Sequence, residues 1–501
     1  MIRNASHDGG GGGGDGRRAE LARELLASAQ GRRWFRGKAR PVAGARIVEV
    51  IPLEVGFAIL LLAVEYASGP PETYVLPVAV GPDGNFGADA VADARFDALV
   101  LGLMRDRGVA HGEAGDLVGV GFEGIERLAA GDLKPKVGSA EQTNSAIIYG
   151  GRLLLKLFRA VEEGPNAEYE IGRFFATHPD VPRAVSRLVG ALEHRCPGRE
   201  PSTIGVLFEF VPNRGDAWSV TLAAVTKFLD GTEAGAGAPP RLANAEILRR
   251  LGPTLDRQRL LGQRTAEMHL ALAQDPADPL FAPAPFDAAH QQAILASARR
   301  LLADTLDLLG RRAGTLDAEA RALAEEVLAG RAELDRSLAA ITEEPIAATR
   351  IRIHGDYHLG QVLDTGTDFV IIDFEGEPGR PLAERRLKLG PLRDVAGMIR
   401  SYEYAGAAGL RARARGAEEL GRLAPWARAF AEWAWTAFVA GYLERAQGTA
   451  LVPPNPVHQN RLLDFYLIEK CVYEVGYELN NRPDWLAIPL AGLRARLRSA
   501  P

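Results

Sequence analysis

His354-Gly355-Asp356-Tyr357-His358-Leu359-Gly360-Gln361, followed by Phe369-Val370-Ile371-Ile372-Asp373-Phe374-Glu375, is the one place where strand-like sequence interrupts a long helical region. Gln361 lies five positions after Asp356, and Asp373 ends an apolar run twelve positions further on. Any one of these residues alone reads as a loop or cap residue, because polar side chains at strand ends are common in turns. Together, with a strand between them, they can converge on one site. One carboxylate is then free to accept or orient a hydroxyl, and the others are hard oxygen ligands suited to Mg²⁺. Phosphoryl transfer needs that combination.

Protein kinases meet the same need with a catalytic Asp, an Asn five positions later and a metal-binding Asp at the end of the next strand. In this chain Gln361 replaces the Asn, so Asp356 is the candidate catalytic group, and Gln361 and Asp373 are the candidate metal ligands. Such a fold also demands a lysine on a strand after a phosphate-covering hairpin. Asn144–Tyr149 and Leu153–Phe158 are strand-like runs joined by Gly150-Gly151, a strong hairpin signal because type I′ turns need positive φ at both central residues. Lys156 sits on the second strand in an otherwise apolar run, where it is costly unless paired. Glu170, on the helix that begins near Pro165, is its expected partner, with Glu168 the competing choice. No G-x-G-x-x-G precedes Lys156; in the loop that takes its place, Ser139, Thr143 and backbone N–H groups are candidates for phosphate. Glu209 to Val211 closes the β-rich half, where a nucleotide hinge acting through backbone groups belongs.

Working outward, the first sixteen residues include the run Gly9 to Gly14 and are expected to be a disordered tail. Arg17 to Gln30 has helical spacing, and Ile47–Ile51, Phe57–Tyr66 and Thr73–Val80 read as a small antiparallel sheet. Ser186–Glu193 and Thr203–Val211 add two later strands, and Leu242–Ala273, Asp287–Leu309 and Leu316–Ile341 are long helical patterns, with Gly231 to Pro240 a mobile loop. The fold class is α+β, with two lobes: a bilobal protein-kinase-like fold with an additional N-terminal cap module and a large helical C-lobe. The expected divisions are a tail at 1–16, a cap module at 17–115, an N-lobe at 116–211 and a helical C-lobe carrying the catalytic loop at 212–501.

The 501 residues carry a net charge of −5, which leaves no general electrostatic case for nucleic acid or an anionic membrane. The apolar run Phe57 to Val64 is far short of the roughly 20 residues that span a bilayer, and no signal peptide precedes it, so a cytoplasmic protein is expected. Cys196 and Cys471 share no metal-ligand spacing and read as two buried structural thiols.

Arg33-Trp34-Phe35-Arg36-Gly37-Lys38, Leu155-Lys156-Leu157-Phe158, the His354–Gln361 loop, Asp373-Phe374-Glu375-Gly376-Glu377-Pro378, Pro391-Leu392-Arg393-Asp394-Val395-Ala396-Gly397-Met398 and Asn481-Arg482-Pro483-Asp484-Trp485 together resemble the maltokinases. These are members of the aminoglycoside-phosphotransferase-like branch of the protein-kinase fold. The His-Gly-Asp-x-His part is shared across that branch, whereas the Phe-Glu-Gly-Glu-Pro extension and the Trp-Phe start are more specific. Arg36 departs from the small residue usual there, and the glycine tail is unusual. The resemblance implies transfer of the ATP γ-phosphoryl group to the anomeric hydroxyl of maltose with Mg²⁺, giving maltose 1-phosphate and ADP. It also implies a place in making α-1,4-glucan from trehalose-derived maltose, with trehalose synthase a possible partner. Another sugar kinase of the branch, such as a glucosamine kinase, is the nearest alternative. A catalytically inactive nucleotide-binding module is a further one, which the joint presence of Lys156, Asp356, Gln361 and Asp373 argues against.

Tyr466, Lys470, Tyr473 and Tyr477 fall at i, i+4, i+7 and i+11, one stripe of a C-terminal helix opposite an apolar side. An aromatic face with a cation suits a sugar, and a solvated face fits the pattern equally well. The resemblance selects the first, because maltokinases place maltose contacts on a matching Lys-x-x-Tyr segment. Lys470, Tyr473 and Tyr477 are therefore the expected sugar contacts, with His358 from the loop and Glu474 at the stripe's edge. His269, Trp426, Trp433 and Trp435 read as packed helix residues.

Overall fold

The computed structural model describes residues 13–38, 40–54, 56–82, 85–138, 144–178, 182–232, 239, 245–377 and 379–499. The chain forms two compact units, residues 1–181 with 186–212 and residues 182–185 with 213–501.

The first unit opens with helix α1 (Gly13–Gln30) and strands β1 (Val42–Leu53), β2 (Phe57–Tyr66), β3 (Glu72–Val80) and β4 (Phe86–Asp89). Helix α2 (Ala94–Arg105), strands β5 (Val109–His111) and β6 (Asp116–Gly121), helix α3 (Ile125–Leu128) and strand β7 (Pro135–Val137) follow. The hairpin β8 (Asn144–Tyr149) and β9 (Leu153–Phe158) leads through β10 (Ala160–Val161) to helix α4 (Ala167–Thr177), then β11 (Leu188–Arg195) and β12 (Ser202–Glu209).

Two antiparallel sheets result. One runs β1-β2-β3-β10 with β4 on β3, and the other runs β5-β6-β11-β12-β9-β8-β7. Strand β2 is buried at nine of its ten positions, because both faces of its sheet are covered. Leu60, Leu62 and Val64 pack with Ala22 and Phe35, while Ile59 and Leu61 join a second core with Phe96, Leu155 and Leu192. That double burial explains why Phe57–Val64 reads as an unbroken apolar run instead of an alternating one. The expected cap boundary at 115–116 falls in the turn of the β5–β6 hairpin, and both of its strands belong to the seven-stranded sheet. Helix α1 starts at Gly13, inside the glycine run expected to be disordered; residues 1–12 of that tail lie outside the described residues.

The β8–β9 hairpin pairs Tyr149 with Leu153, and Gly150 (φ 56°) and Gly151 (φ 65°) both occupy the left-handed region that the sequence demands. A Cβ at Gly151 meets nothing within 4 Å, whereas one at Gly150 lies 2.9 Å from Leu133 Cδ2. Gly151→Ala is therefore expected to cost about 1 kcal/mol of backbone strain, and Gly150→Ala roughly 2 kcal/mol once Leu133 is displaced. Urea denaturation of the two variants checks the order; a larger loss at Gly151 contradicts it.

The second unit is mainly helical, beginning with α5 (Ala217–Asp230), α6 (Ala245–Leu272), β13 (Ala284–Pro285), α7 (Ala288–Arg312), α8 (Ala318–Ala329) and α9 (Arg331–Ala339). The short strands β14 (Thr349–Arg350), β15 (Val362–Asp364) and β16 (Phe369–Ile371) come next. Helices α10 (Leu382–Arg385), α11 (Leu392–Arg413), α12 (Ala417–Ala446), α13 (Pro456–Asn481) and α14 (Ala487–Ser499) complete it. The single helix expected over Leu316–Ile341 is two, broken at Gly330, where the side chain of Leu497 from α14 packs against the backbone. Trp426 and Trp433 pack around Phe228 in the core, with ring centroids 6.1 and 5.9 Å from it. Most of the loop expected at Gly231 to Pro240 lies outside the described residues. Among the described residues no helix is long and apolar enough to cross a membrane.

Candidate active site

Between β14 and β15 the chain has little regular structure, so its backbone polar groups need side-chain partners. Asp394, buried in the first turn of α11, supplies them. Its carboxylate accepts the N–H groups of His354 (2.8 Å) and Gly355 (2.9 Å) and a hydrogen bond from His269 Nε2 (2.9 Å). Burial pushes the Asp394 pKa up, but His269, His354 and the Gly355 N–H outweigh it and hold it below the usual carboxylate range. With Nε2 donating to Asp394, His269 Nδ1 is left to accept from Tyr442 Oη at 3.1 Å.

The loop's own residues lock onto neighbouring elements. His354 Nε2 donates to the Ile372 carbonyl (2.9 Å), and its Nδ1 accepts the Asp356 N–H (3.4 Å). Tyr357 Oη donates to Thr265 Oγ1 (2.8 Å), which in turn donates to the Leu261 carbonyl. The Leu359 N–H donates to Ser401 Oγ (3.1 Å). His358 caps the turn Leu359–Gln361 by accepting the Gly360 N–H at Nδ1, and burial lowers its pKa, so it stays neutral at pH 7. The Ile372 N–H donates to the Gln361 carbonyl (3.0 Å), which places Gln361 beside the residue that precedes Asp373. Asp373 itself has φ 68°, a left-handed conformation costing on the order of 1–2 kcal/mol for a residue with a side chain. Strain held at a carboxylate next to a polar loop points to a functional position.

Gly355 (φ 84°) passes so close to the second loop that a Cβ there would lie 3.2 Å from Gly376 Cα. This backbone contact sets the Phe374–Glu377 segment next to Asp356. Lys470 of α13 then bridges the two, with Nζ 3.1 Å from Glu377 Oε1 and 3.7 Å from Asp356 Oδ1. Burial pushes Glu377 up, but Lys470, Arg393 and Arg380 overcome it and hold its pKa at about 2. Burial also works against the charge on Lys470, yet Glu377 and Asp356 prevail and its pKa is raised. Behind this pair Arg393 binds Glu469 at 2.8 Å. A cation is thus fixed beside the candidate catalytic carboxylate by a buried acidic anchor. Glu377 is the group sequence reasoning misses; its signal is its place in the Phe-Glu-Gly-Glu-Pro extension.

The expected aromatic stripe on α13 is only partly open. Tyr466 is buried at 2% exposure, a correction to its place on the polar face, while Tyr477 is 44% exposed. Tyr473 and Tyr477 stack with centroids 6.5 Å apart, and Lys470 Nζ lies 4.8 Å from the Tyr473 ring centre. Glu474, expected at the sugar face, is instead buried and bound to Arg400 at 2.8 Å.

In the first unit, Lys156 Nζ lies 2.9 Å from Glu168 Oε2. The observed partner is Glu168, the competing choice; its own N–H is capped by Asn166 at the start of α4. At the end of β12 the Glu209 N–H donates to the Arg187 carbonyl (2.9 Å) and the Phe210 N–H to the Arg152 carbonyl (2.8 Å), with Val211 next in the chain. Ser139 and Thr143 lie outside the described residues.

Hard oxygen donors on Gln361 and Asp373, adjacent through the Ile372–Gln361 bond, fit an ion such as Mg²⁺ that takes one or two protein ligands and completes its shell with phosphate and water. A loop carboxylate, a strained metal-type aspartate and a buried lysine–glutamate pair are the parts of a phosphotransferase. Residues 132–430, more than half of the chain, match the phosphotransferase enzyme family, and the chain belongs to it. Residues 29–102 match the maltokinase N-terminal cap domain.

Among curated relatives, the chain is 27% identical over 365 residues to a glucosamine kinase of Mycolicibacterium smegmatis, covering 72% of this chain and 78% of that one. It is 26% identical over 275 residues to a glucosamine kinase of Streptacidiphilus jiangxiensis, 53% of each chain. Among solved structures, a glucosamine kinase in crystal form B superposes with TM-score 0.69 at 21% identity, covering 96% of this chain and 99% of that one. One in complex with glucosamine, ADP and inorganic phosphate gives TM-score 0.66 at 20% identity, covering 95% and 98%. These similarities show the fold: a kinase-like phosphotransferase fold with an N-terminal cap domain and a helical C-terminal region.

Proposed function

We propose that the protein transfers the γ-phosphoryl group of ATP to the anomeric hydroxyl of maltose, giving maltose 1-phosphate and ADP. The observation that carries this reading is the approach of Lys470, on the aromatic helix α13, to within 3.7 Å of Asp356. That approach sets a sugar-type surface, Tyr473 and Tyr477, on the helix that reaches the candidate catalytic group. In this account Asp356 orients the sugar hydroxyl and takes its proton, with His358 and Lys470 binding neighbouring hydroxyls. Gln361 and Asp373 would hold Mg²⁺, which when bound neutralises phosphate charge. Lys156, fixed by Glu168, binds ATP phosphate oxygens, and Glu209 to Val211 offers backbone groups to the base. Because the transition state is loose, positioning and charge neutralisation dominate over base strength.

The names of the relatives favour a second reading, glucosamine as acceptor. Charge argues for the neutral sugar. Lys470 keeps its positive charge beside Asp356, and Glu377, Glu469 and Glu474 are already committed to Lys470, Arg393 and Arg400. A glucosamine ammonium would meet a fixed cation with those neighbouring carboxylates engaged. Coupled ADP release with maltose, glucose and glucosamine at matched concentrations tests this; maltose is expected to give the highest kcat/KM, and preference for glucosamine sinks the maltose assignment. The cap domain match is consistent with a place in maltose-based α-1,4-glucan synthesis.

A further inference from the structure

We propose that Glu49, His194 and Cys196 form a zinc site tying β1 of the cap sheet to β11 of the seven-stranded sheet. The three offer carboxylate, imidazole and thiol atoms that all lie within 4.8 Å of one another. His194 and Cys196, two positions apart at the end of β11, face the same side. Glu49, 145 residues earlier, is brought in at a register shift in the β1–β2 pairing, where an extra residue re-aims the side chain.

The ligand atoms are close enough to share one ion once one side chain turns. Zinc ligands at about 2.3 Å (sulfur) and 2.0 Å (nitrogen) stand roughly 3.5 Å apart across a tetrahedral centre. Cys196 Sγ lies 3.6 Å from His194 Nε2 and 3.9 Å from Nδ1, so it rests against the ring and must turn toward Nε2 as an ion enters. Glu49 Oε2 lies 2.9 Å from the same nitrogen, a hydrogen bond in the metal-free form that opens by a few tenths of an ångström, on the order of 0.4 Å, when an ion enters. The other oxygen, Oε1, is anchored by the N–H groups of Val50 (2.9 Å), Glu113 (2.8 Å) and Ala114 (3.1 Å). A carboxylate held this way is what an outer ligand shell provides. The β5–β6 turn roofs the cluster at Gly115, where a Cβ would lie 2.7 Å from Cys196 Sγ.

Glu49 is 1% and His194 7% exposed, while Cys196 is only half-buried, so solvent reaches the cluster from the thiol side. Mixed S, N and O donors favour Zn²⁺ over Mg²⁺, which takes oxygen. Zinc binds the cysteine as thiolate, so the thiol proton is released to solvent as the zinc–sulfur bond forms.

The test is anaerobic titration of the reduced, metal-free full chain with Co²⁺ in buffer containing Mg²⁺. The wild type should show a near-ultraviolet thiolate-to-cobalt band saturating at one equivalent, and Zn²⁺ should displace it. Cys196→Ser should abolish the band, weaken Zn²⁺ by about 100-fold or more and remove the zinc-dependent rise in Tm. Cys471→Ala should retain all three. No band at excess Co²⁺, or a band that persists in Cys196→Ser, overturns the proposal.

Discussion

Asp356→Asn is expected to lower maltose-dependent ADP release by about a thousandfold while leaving ATP affinity within about threefold of wild type. The reason lies in what the carboxylate touches. Asp356 is part of the loop that Asp394 and His354 hold in place, and none of those bonds uses its side chain. Among the described residues its side chain meets Lys470, at 3.7 Å and with both groups partly exposed, so removing the charge should change stability by under about 1 kcal/mol. Lys470 keeps Glu377 as its anchor. The loss should appear in kcat and in kcat/KM together, the signature of a contact made only in the transition state. Near-wild-type ADP release with maltose as acceptor would remove Asp356 from the catalytic role.

Asp394→Ala should produce the largest loss of stability, about 4 kcal/mol for the helical unit. Its carboxylate is almost fully buried and satisfies two backbone N–H groups and His269. Alanine leaves these donors without an acceptor in a low-dielectric site, which typically costs 3–5 kcal/mol when a buried charged partner is deleted. Activity should fall further than the unfolded fraction explains, since His354 and Gly355 set the backbone that presents Asp356. Asp394→Asn keeps one acceptor oxygen and should lose about half as much. Urea denaturation of the three proteins decides it; equal stability of Asp394→Ala and wild type contradicts the role given to this carboxylate.

Much of this site could be read locally. The Gly150-Gly151 hairpin falls where two positive-φ residues between apolar runs require it, whereas the two aspartates flank not the single strand expected but the two-stranded β15–β16 hairpin. What escaped was long-range. Glu168 and Glu170 are two positions apart on a helix, roughly 200° around its axis, and only the packing of α4 decides which one faces Lys156. Glu377 meets Lys470 across 93 residues, and Glu49 meets His194 across 145, distances over which periodicity is silent. Helical spacing correctly grouped Tyr466 with Tyr477, but a stripe that runs from the core into solvent buries one end and exposes the other. Helix α2 went unread because its short pattern sits between strand signals in the cap module.

The acceptor remains the central claim, and the phosphorus NMR spectrum of the product tests it most directly. Incubation of the enzyme with ATP, Mg²⁺ and maltose should yield a phosphate resonance split by a single proton, that on the anomeric carbon, together with ADP. A phosphate ester that forms with glucosamine and not with maltose would contradict the account.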